Sequence, residues 1–295
     1  MAHYKEPAVK FNKAIHFFFP IQALRLVNSF EVETRFCFDG VMSHASLPEI
    51  VEYCQALLQP ETFEDWDGTV NGLQIQNSGN VTRIAASVDA SLATVKMAVA
   101  AKADLLVAHH GLFWSSATQP WTGRRYELFE LLVKNNLAVF SSHLPLDAHP
   151  EVGNNAQLSK ALGLRRLKPF FLEKGRFLGF QSTASIARDT LGRALGRAIG
   201  HPPVLLPCGP ERCRRIGIVT GAAGSQLKVA AAEGVDTFIT GEGPHWTHAL
   251  AEDLGLNVFY GGHYATETFG VKALAARLSK AFEVPWIFLD HPSGL

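Results

Sequence analysis

A repeat constrains this chain more than any other feature. Residues Arg215 to Gly243 align without a gap on Arg83 to Gly111, at a constant offset of 132. Lys228 falls on Lys96, Ala230 on Ala98, Asp236 on Asp104 and Gly243 on Gly111. After a shorter link, Asn257 to Glu267 aligns on Leu137 to Asp147 at an offset of 120. That sets His263 on His143 and Glu267 on Asp147. Ala-rich helices and apolar strands match cheaply, so two β-α-β units can look alike by chance. A constant offset with both polar ends in coincidence favours duplication.

Each copy reads as strand, helix, strand. Residues 83–88, 105–108 and 137–140 are apolar runs without polar alternation, the pattern of strands covered on both faces by helices. Residues 92–101 and 127–135 carry the helical pattern between them. Residues 177–183 (strand), 186–199 (helix) and 204–206 (strand) join the second copy, and 286–290 reads as a final strand. The expected fold is α/β, with two similar α/β lobes from an internal duplication and a site in the cleft between them. Lobe 1 spans about residues 42–168 plus a C-terminal strand at about 284–295, and lobe 2 spans about 169–283.

Ahead of the repeat, Ser46-Leu47-Pro48-Glu49 reads as a capping box with proline in the first turn and predicts a helix over 47–58. The first forty-one residues have a different character: Lys10 to Phe30 is basic, phenylalanine-rich and poor in acids. His16, Pro20 and Arg25 break any signal-peptide core, while an organellar transit peptide stays open. We read 1–41 as an extension without a role, upstream of a natural start at Met42.

The bulk numbers exclude several classes. Basic and acidic residues balance at 27 each with no basic block, which gives electrostatic nucleic-acid binding, including a DNA-encircling ring, no support. Cys37, Cys54, Cys208 and Cys213 form no Cys-x-x-Cys pair, so a reducing, cytoplasmic setting is expected, without a disulfide framework or thiolate zinc site. No apolar stretch approaches the ~20 residues that span a bilayer.

What remains points to metal. His109-His110-Gly111 ends a buried strand, at the end of an α/β sheet where ligands bind. Neighbouring strand residues face opposite ways, so both imidazoles reach one site only if the chain turns, which Gly111 permits. His263 and Glu267 stand one helical turn apart at the start of a helix. Asp147 follows Pro145 and is free to face the cleft, where a carboxylate can bridge two cations. Each residue alone also has an ordinary structural explanation; together they make three imidazoles and two carboxylates with coordination positions to spare. A water between two ions ~3.5–4 Å apart is a good nucleophile at neutral pH, which is hydrolase equipment. Glu242, His143, His149 and His245 are candidates to orient ligands or move protons, with Glu242 and His143 preferred as catalytic helpers. The turn Gly221-Ala222-Ala223-Gly224 lacks a phosphate-loop pattern and reads as a tight strand–helix turn, and Ser141-Ser142-His143 lacks a nucleophile elbow.

Several stretches taken in order resemble the NIF-three-like family: Trp66 to Gln74, Ala108 to Trp114, His143 to His149, Gly153-Asn154-Asn155, Thr240-Gly241-Glu242, and Gly262-His263 with Glu267. The resemblance covers about residues 45–295 and matches the short form of the family, dinuclear-metal-centre proteins also called GTP cyclohydrolase I type 2 homologues. It implies a dinuclear site in the interlobe cleft with ligands at His109, His110, Asp147, His263 and Glu267, two divalent ions and a homohexamer; imidazole and carboxylate donors suit Fe, Zn, Mn or Ni. His143, although aligned with His263, is then not expected to be a ligand. One departure is the stretch before Asn71, where the usual aspartate is displaced upstream to Asp67. The resulting expectation is a metal-dependent hydrolase of a nucleotide-like small molecule; the alternative is a non-catalytic metal-handling or scaffold hexamer.

Overall fold

The computed structural model describes residues 44–114 and 120–295. Residues 1–41, read above as an extension, lie outside them. Both lobes belong to one compact unit, Met42–Leu295.

The first half runs β1 (Ala45–Ser46), α1 (Leu47–Leu58), β2 (Gly72–Ile75), β3 (Asn80–Val81), β4 (Ile84–Asp89), α2 (Leu92–Ala100) and β5 (Leu105–His110). It continues through α3 (Arg124–Lys134), β6 (Ala138–Ser141), α4 (Leu144–Ala148) and α5 (Asn154–Ala161). The second half runs β7 (Lys168–Glu173), β8 (Arg176–Ala187), α6 (Arg188–Ile199), β9 (Val204–Pro207), β10 (Arg212–Ile218) and α7 (Leu227–Ala232). It closes with β11 (Thr237–Thr240), α8 (Thr247–Leu254), β12 (Asn257–Tyr260), α9 (His263–Phe282) and β13 (Trp286–Phe288). The helix read over 47–58 keeps those bounds, with Pro48 in its first turn, although the Ser46 side chain makes no capping bond.

Among the described residues β1 and β3 form a two-stranded antiparallel sheet, and two larger sheets are ordered β13-β4-β5-β6-β2 and β7-β8-β10-β11-β12-β9. The repeat is visible in their registers. Ile84 pairs with Leu105 in the first sheet, and Ile216 with Thr237 in the second, each 132 residues on. The second offset slips by one residue. Ala138 partners Leu105 while Asn257 partners Thr237, so β12 follows β6 at 119, not 120. Gly262, not His263, therefore takes the helix N-cap position that His143 holds in the first copy.

Strand residues alternate between two cores, as strands buried on both faces must. Ile84 and Ala86 face α1 and α9, while Ala85 faces α2 and α3. On the second sheet, Ile216 and Ile218 pack with α5 and α6, and Phe238 and Val258 with α7 and α8. The lobes exchange a helix. Leu158 of α5 lies in the core of the second sheet, and Val271, Leu274 and Leu278 of α9 lie in the core of the first. Among the described residues no helix is long and apolar enough to cross a membrane.

Candidate metal centre

The carboxyl ends of the parallel strands in both sheets point into one cleft. From the first sheet, His109 and His110 close β5, and His110 is the register partner of Asp89 at the end of β4. Both rings reach the same place, with centroids 4.8 Å apart. The turn that allows this is at Gly111, where any Cβ would collide with the Gln74 side chain. Gln74 Oε1 in turn accepts the Leu112 N–H at 2.6 Å.

Asp147 enters from the short helix α4 and is buried. Its Oδ1 accepts Asn154 Nδ2 at 2.8 Å and Thr220 Oγ1 at 3.3 Å, so both halves of the chain fix it. From the second lobe, α9 brings His263 in its first turn and Glu267 one turn later. Gly221, at φ +71, passes so close to the Glu267 carboxylate that a Cβ there would displace it.

Glu267 is the hub. Its Oε2 lies 3.1 Å from His263 Nε2 and 3.3 Å from His110 Nε2, and its Oε1 lies 3.6 Å from His109 Nε2. His109 Nε2 is also 3.5 Å from Asp147 Oδ2. Yet His109 Nε2 and Glu267 Oε2, both fully enclosed, have no hydrogen-bond partner. Leaving buried polar atoms unpaired costs about 1–3 kcal/mol each, more for charged groups, unless something else satisfies them. Electrostatics make the same demand. Burial opposes charge on His109, but Asp147 and Glu267 outweigh it and push the imidazole up to about 10. Burial likewise opposes charge on His263, while Glu267 and Glu242 push it up to about 9. The imidazoles in turn hold Glu267 well below the usual carboxylate range against its burial. The pocket calls for positive charge, and protons on imidazole are the substitute for cations.

Three overlapping donor groups have ligand atoms within 4.8 Å of one another: His109 with Asp147 and Glu267, His110 with His263 and Glu267, and His109 with His110 and His143. The first two share Glu267, as a carboxylate bridging two ions would require. All five residues expected to ligate metal are brought together, and their orphaned atoms fit a divalent-ion site.

Residues 45–293 match the family described as Duf34/NIF3 (NGG1p interacting factor 3). The chain belongs to the DUF34/NIF3 family. It is 41% identical over 231 residues to a protein of Deinococcus radiodurans named GTP cyclohydrolase 1 type 2 homolog, covering 78% of this chain and 88% of that one. A protein of the same name from Archaeoglobus fulgidus is 37% identical over 250 residues, 85% of this chain and the whole of the other. A crystal structure from Thermus thermophilus superposes with a TM-score of 0.79 at 36% identity, covering 85% of this chain and all of that one.

Within this DUF34/NIF3 chain, the remaining candidates sort by what they touch. Glu242 Oε1 accepts His263 Nδ1 at 2.7 Å and so orients that imidazole. His143 lies with its ring 5.0 Å from His109 and 5.7 Å from His110, centroid to centroid. His149 Nδ1 instead accepts the N–H groups of Glu151 and Val152, closing a turn, and His245 is exposed. Two carboxylates went unrecognised in the sequence. Asp89 takes His110 Nδ1 at 2.8 Å, and Asp65 takes His143 Nδ1 at 2.6 Å. Asp67, which the motif comparison favoured, is exposed, and Asp65 is the carboxylate that enters the site. The hydrogen bond from Asn71 Nδ2 to Asp65 Oδ2, at 2.9 Å, is what ties that loop to the centre.

Proposed function

We propose that this DUF34/NIF3 chain is a dinuclear metal-dependent hydrolase acting on a nucleotide-like small molecule, with a purine nucleotide as the first substrate to try. The observation that carries this reading is the pair of buried, unpartnered ligand atoms, His109 Nε2 and Glu267 Oε2, at the junction of two donor groups. Divalent ions bound there would supply Lewis acidity and an acidified water. The donors are imidazole and carboxylate without thiolate, which suits iron, zinc, manganese or nickel. Asp89 and Glu242 hold the His110 and His263 rings at Nδ1 and keep Nε2 presented to the cleft. The relatives' shared name supports a nucleotide substrate.

Two further features favour a planar ligand. Trp114 is 40% exposed, and its ring lies 4.5 Å from that of His143 and 5.2 Å from that of His110, centroid to centroid. An aromatic face at the mouth of a polar site offers stacking to a heterocycle. Beside it, a cavity of about 380 Å³ is lined by Asp89, Ser91, His110 and His291.

The same reading takes the protein as a homohexamer in the cytoplasm. Tyr126, Phe129 and Val133 make an exposed stripe along α3, which supports self-association, and light scattering after size exclusion tests the stoichiometry. For the reaction, metal-replete protein is screened against a purine nucleotide panel, beside His109→Ala and Glu267→Ala variants assayed for metal by elemental analysis. Turnover that disappears with the metal in both variants is the expected result. Stoichiometric metal without turnover would leave metal handling or scaffolding as the function.

A further inference from the structure

Four imidazoles, not three, are prepared in the same way. A histidine that gives its Nδ1–H to an oxygen acceptor is locked in the tautomer whose Nε2 carries a free lone pair. His109 gives Nδ1 to the Ser142 carbonyl at 2.9 Å, His110 to Asp89 at 2.8 Å and His263 to Glu242 at 2.7 Å. His143 does the same with Asp65, and its 2.6 Å contact is the shortest of the set.

Of the three imidazoles held by a carboxylate, His143 with Asp65 is the most deeply buried pair. The Asp65 carboxylate is only 6% exposed, and the His143 side chain 8%. Asp65 Oδ1 accepts the Trp66 N–H at 2.7 Å, and Oδ2 accepts Asn71 Nδ2 at 2.9 Å and the Leu144 N–H at 3.2 Å. Asn71 Oδ1 closes the loop by accepting the His143 N–H at 2.7 Å. A histidine kept only to pin a loop has no need to bring a ring nitrogen to two other ligand imidazoles. Here one ring nitrogen each of His109, His110 and His143 lie within 4.8 Å of one another, close enough to surround an ion.

We propose that His143 is an additional metal ligand of this centre, presenting Nε2 on the face where His109 and His110 converge, with Asp65 as its orienting carboxylate. The proposal rests on the reading of the cleft as a metal centre. It places a third donor group, made only of imidazole, against the two that share Glu267.

The test uses the full chain loaded with cobalt(II), whose paramagnetism moves the exchangeable proton of each coordinated imidazole out of the bulk spectrum. Four such Nδ1–H resonances are expected in the unmodified protein; three overturn the proposal. In parallel, cobalt titrations followed by absorption compare the unmodified chain with His143→Gln, Asp65→Asn and the exposed control His248→Gln. Folding is checked by near-ultraviolet circular dichroism. His143→Gln should weaken at least one cobalt step tenfold or more and remove one shifted resonance. Asp65→Asn should weaken the same step by about tenfold, as loss of a ligand's hydrogen-bond partner does. A folded His143→Gln with unchanged cobalt affinity and an unchanged resonance count sinks the proposal while leaving the metal centre standing. An unmodified chain that takes up no cobalt sinks both.

Discussion

Asn154 stands between Asp147 and the middle of α9. Its Nδ2 donates to Asp147 Oδ1 at 2.8 Å, and its Oδ1 accepts the Gly270 N–H at 2.6 Å. One fully buried amide thus couples the aspartate of the first lobe to the helix that carries His263 and Glu267. Asn154→Ala leaves both partners one bond short in a buried setting. The expected cost is about 2–3 kcal/mol of stability, with weaker metal binding. Urea unfolding of the metal-free protein, followed by zinc titration, checks both; an unchanged midpoint would show that water takes over the amide's role.

Gly221→Ala tests the centre without touching a ligand. The new Cβ would overlap the Glu267 carboxylate, and the backbone sits at φ +71, where a side chain costs about 1–2 kcal/mol. The variant should fold, with a lowered melting temperature and substoichiometric metal. Full metal content by elemental analysis would mean that Glu267 can move aside and still bind.

Acidity offers a third handle. In the metal-free protein His109 is pushed up to about 10 and His263 to about 9, against an ordinary 6.5. The folded state therefore keeps protons that the unfolded chain releases at lower pH. Stability from this source is fully present below about pH 6.5 and is lost as pH rises through 9 to 10. Metal-loaded protein, whose imidazoles bind ions instead, should lack that loss, and loading near neutral pH should expel protons. Melting profiles with chelator and with zinc decide the matter. A flat profile for the chelated protein contradicts the charge assigned to His109.

Thiol chemistry gives an independent check on the first lobe. Burial pushes the Cys54 thiol up to about 12, and the side chain sits in the core under α1. Native protein treated with iodoacetamide should leave Cys54 unmodified while the half-buried Cys208 reacts, as read by peptide mass. Early labelling of Cys54 would show α1 opening.

Much of this was written into local pattern. The offset of 132 holds residue for residue across Ile84–Leu105 and Ile216–Thr237, because parallel strands buried on both faces tolerate only unbroken apolar runs. His109 and His110 were legible because they end such a run, and Asp147, His263 and Glu267 because a four-residue His-to-carboxylate spacing recurs just beyond β6 and β12. Asp65 was not. It meets His143 across 78 positions of chain, and nothing local separates it from Asp67 two residues on. The slip to 119 in β12 was hidden for a similar reason. His263 and Glu267 keep the four-residue spacing of His143 and Asp147, so a sequence comparison locks onto the side chains. The hydrogen-bond ladder, where Gly261 and Ser142 are the equivalent donors, follows the backbone.

The exchange of α5 and α9 bears on how such a chain could arise. A half-length ancestor whose final helix packed on a second copy of itself would have made an interlocked homodimer, stable only as a pair, with two identical ends facing each other across its twofold axis. Joining the copies into one gene would have freed each end to change alone. One register step after β12 would then have been enough to move an imidazole from the cap of one helix into the first turn of the other. Neither half can be expected to survive as a separate fragment, since each would be missing one wall of its own core.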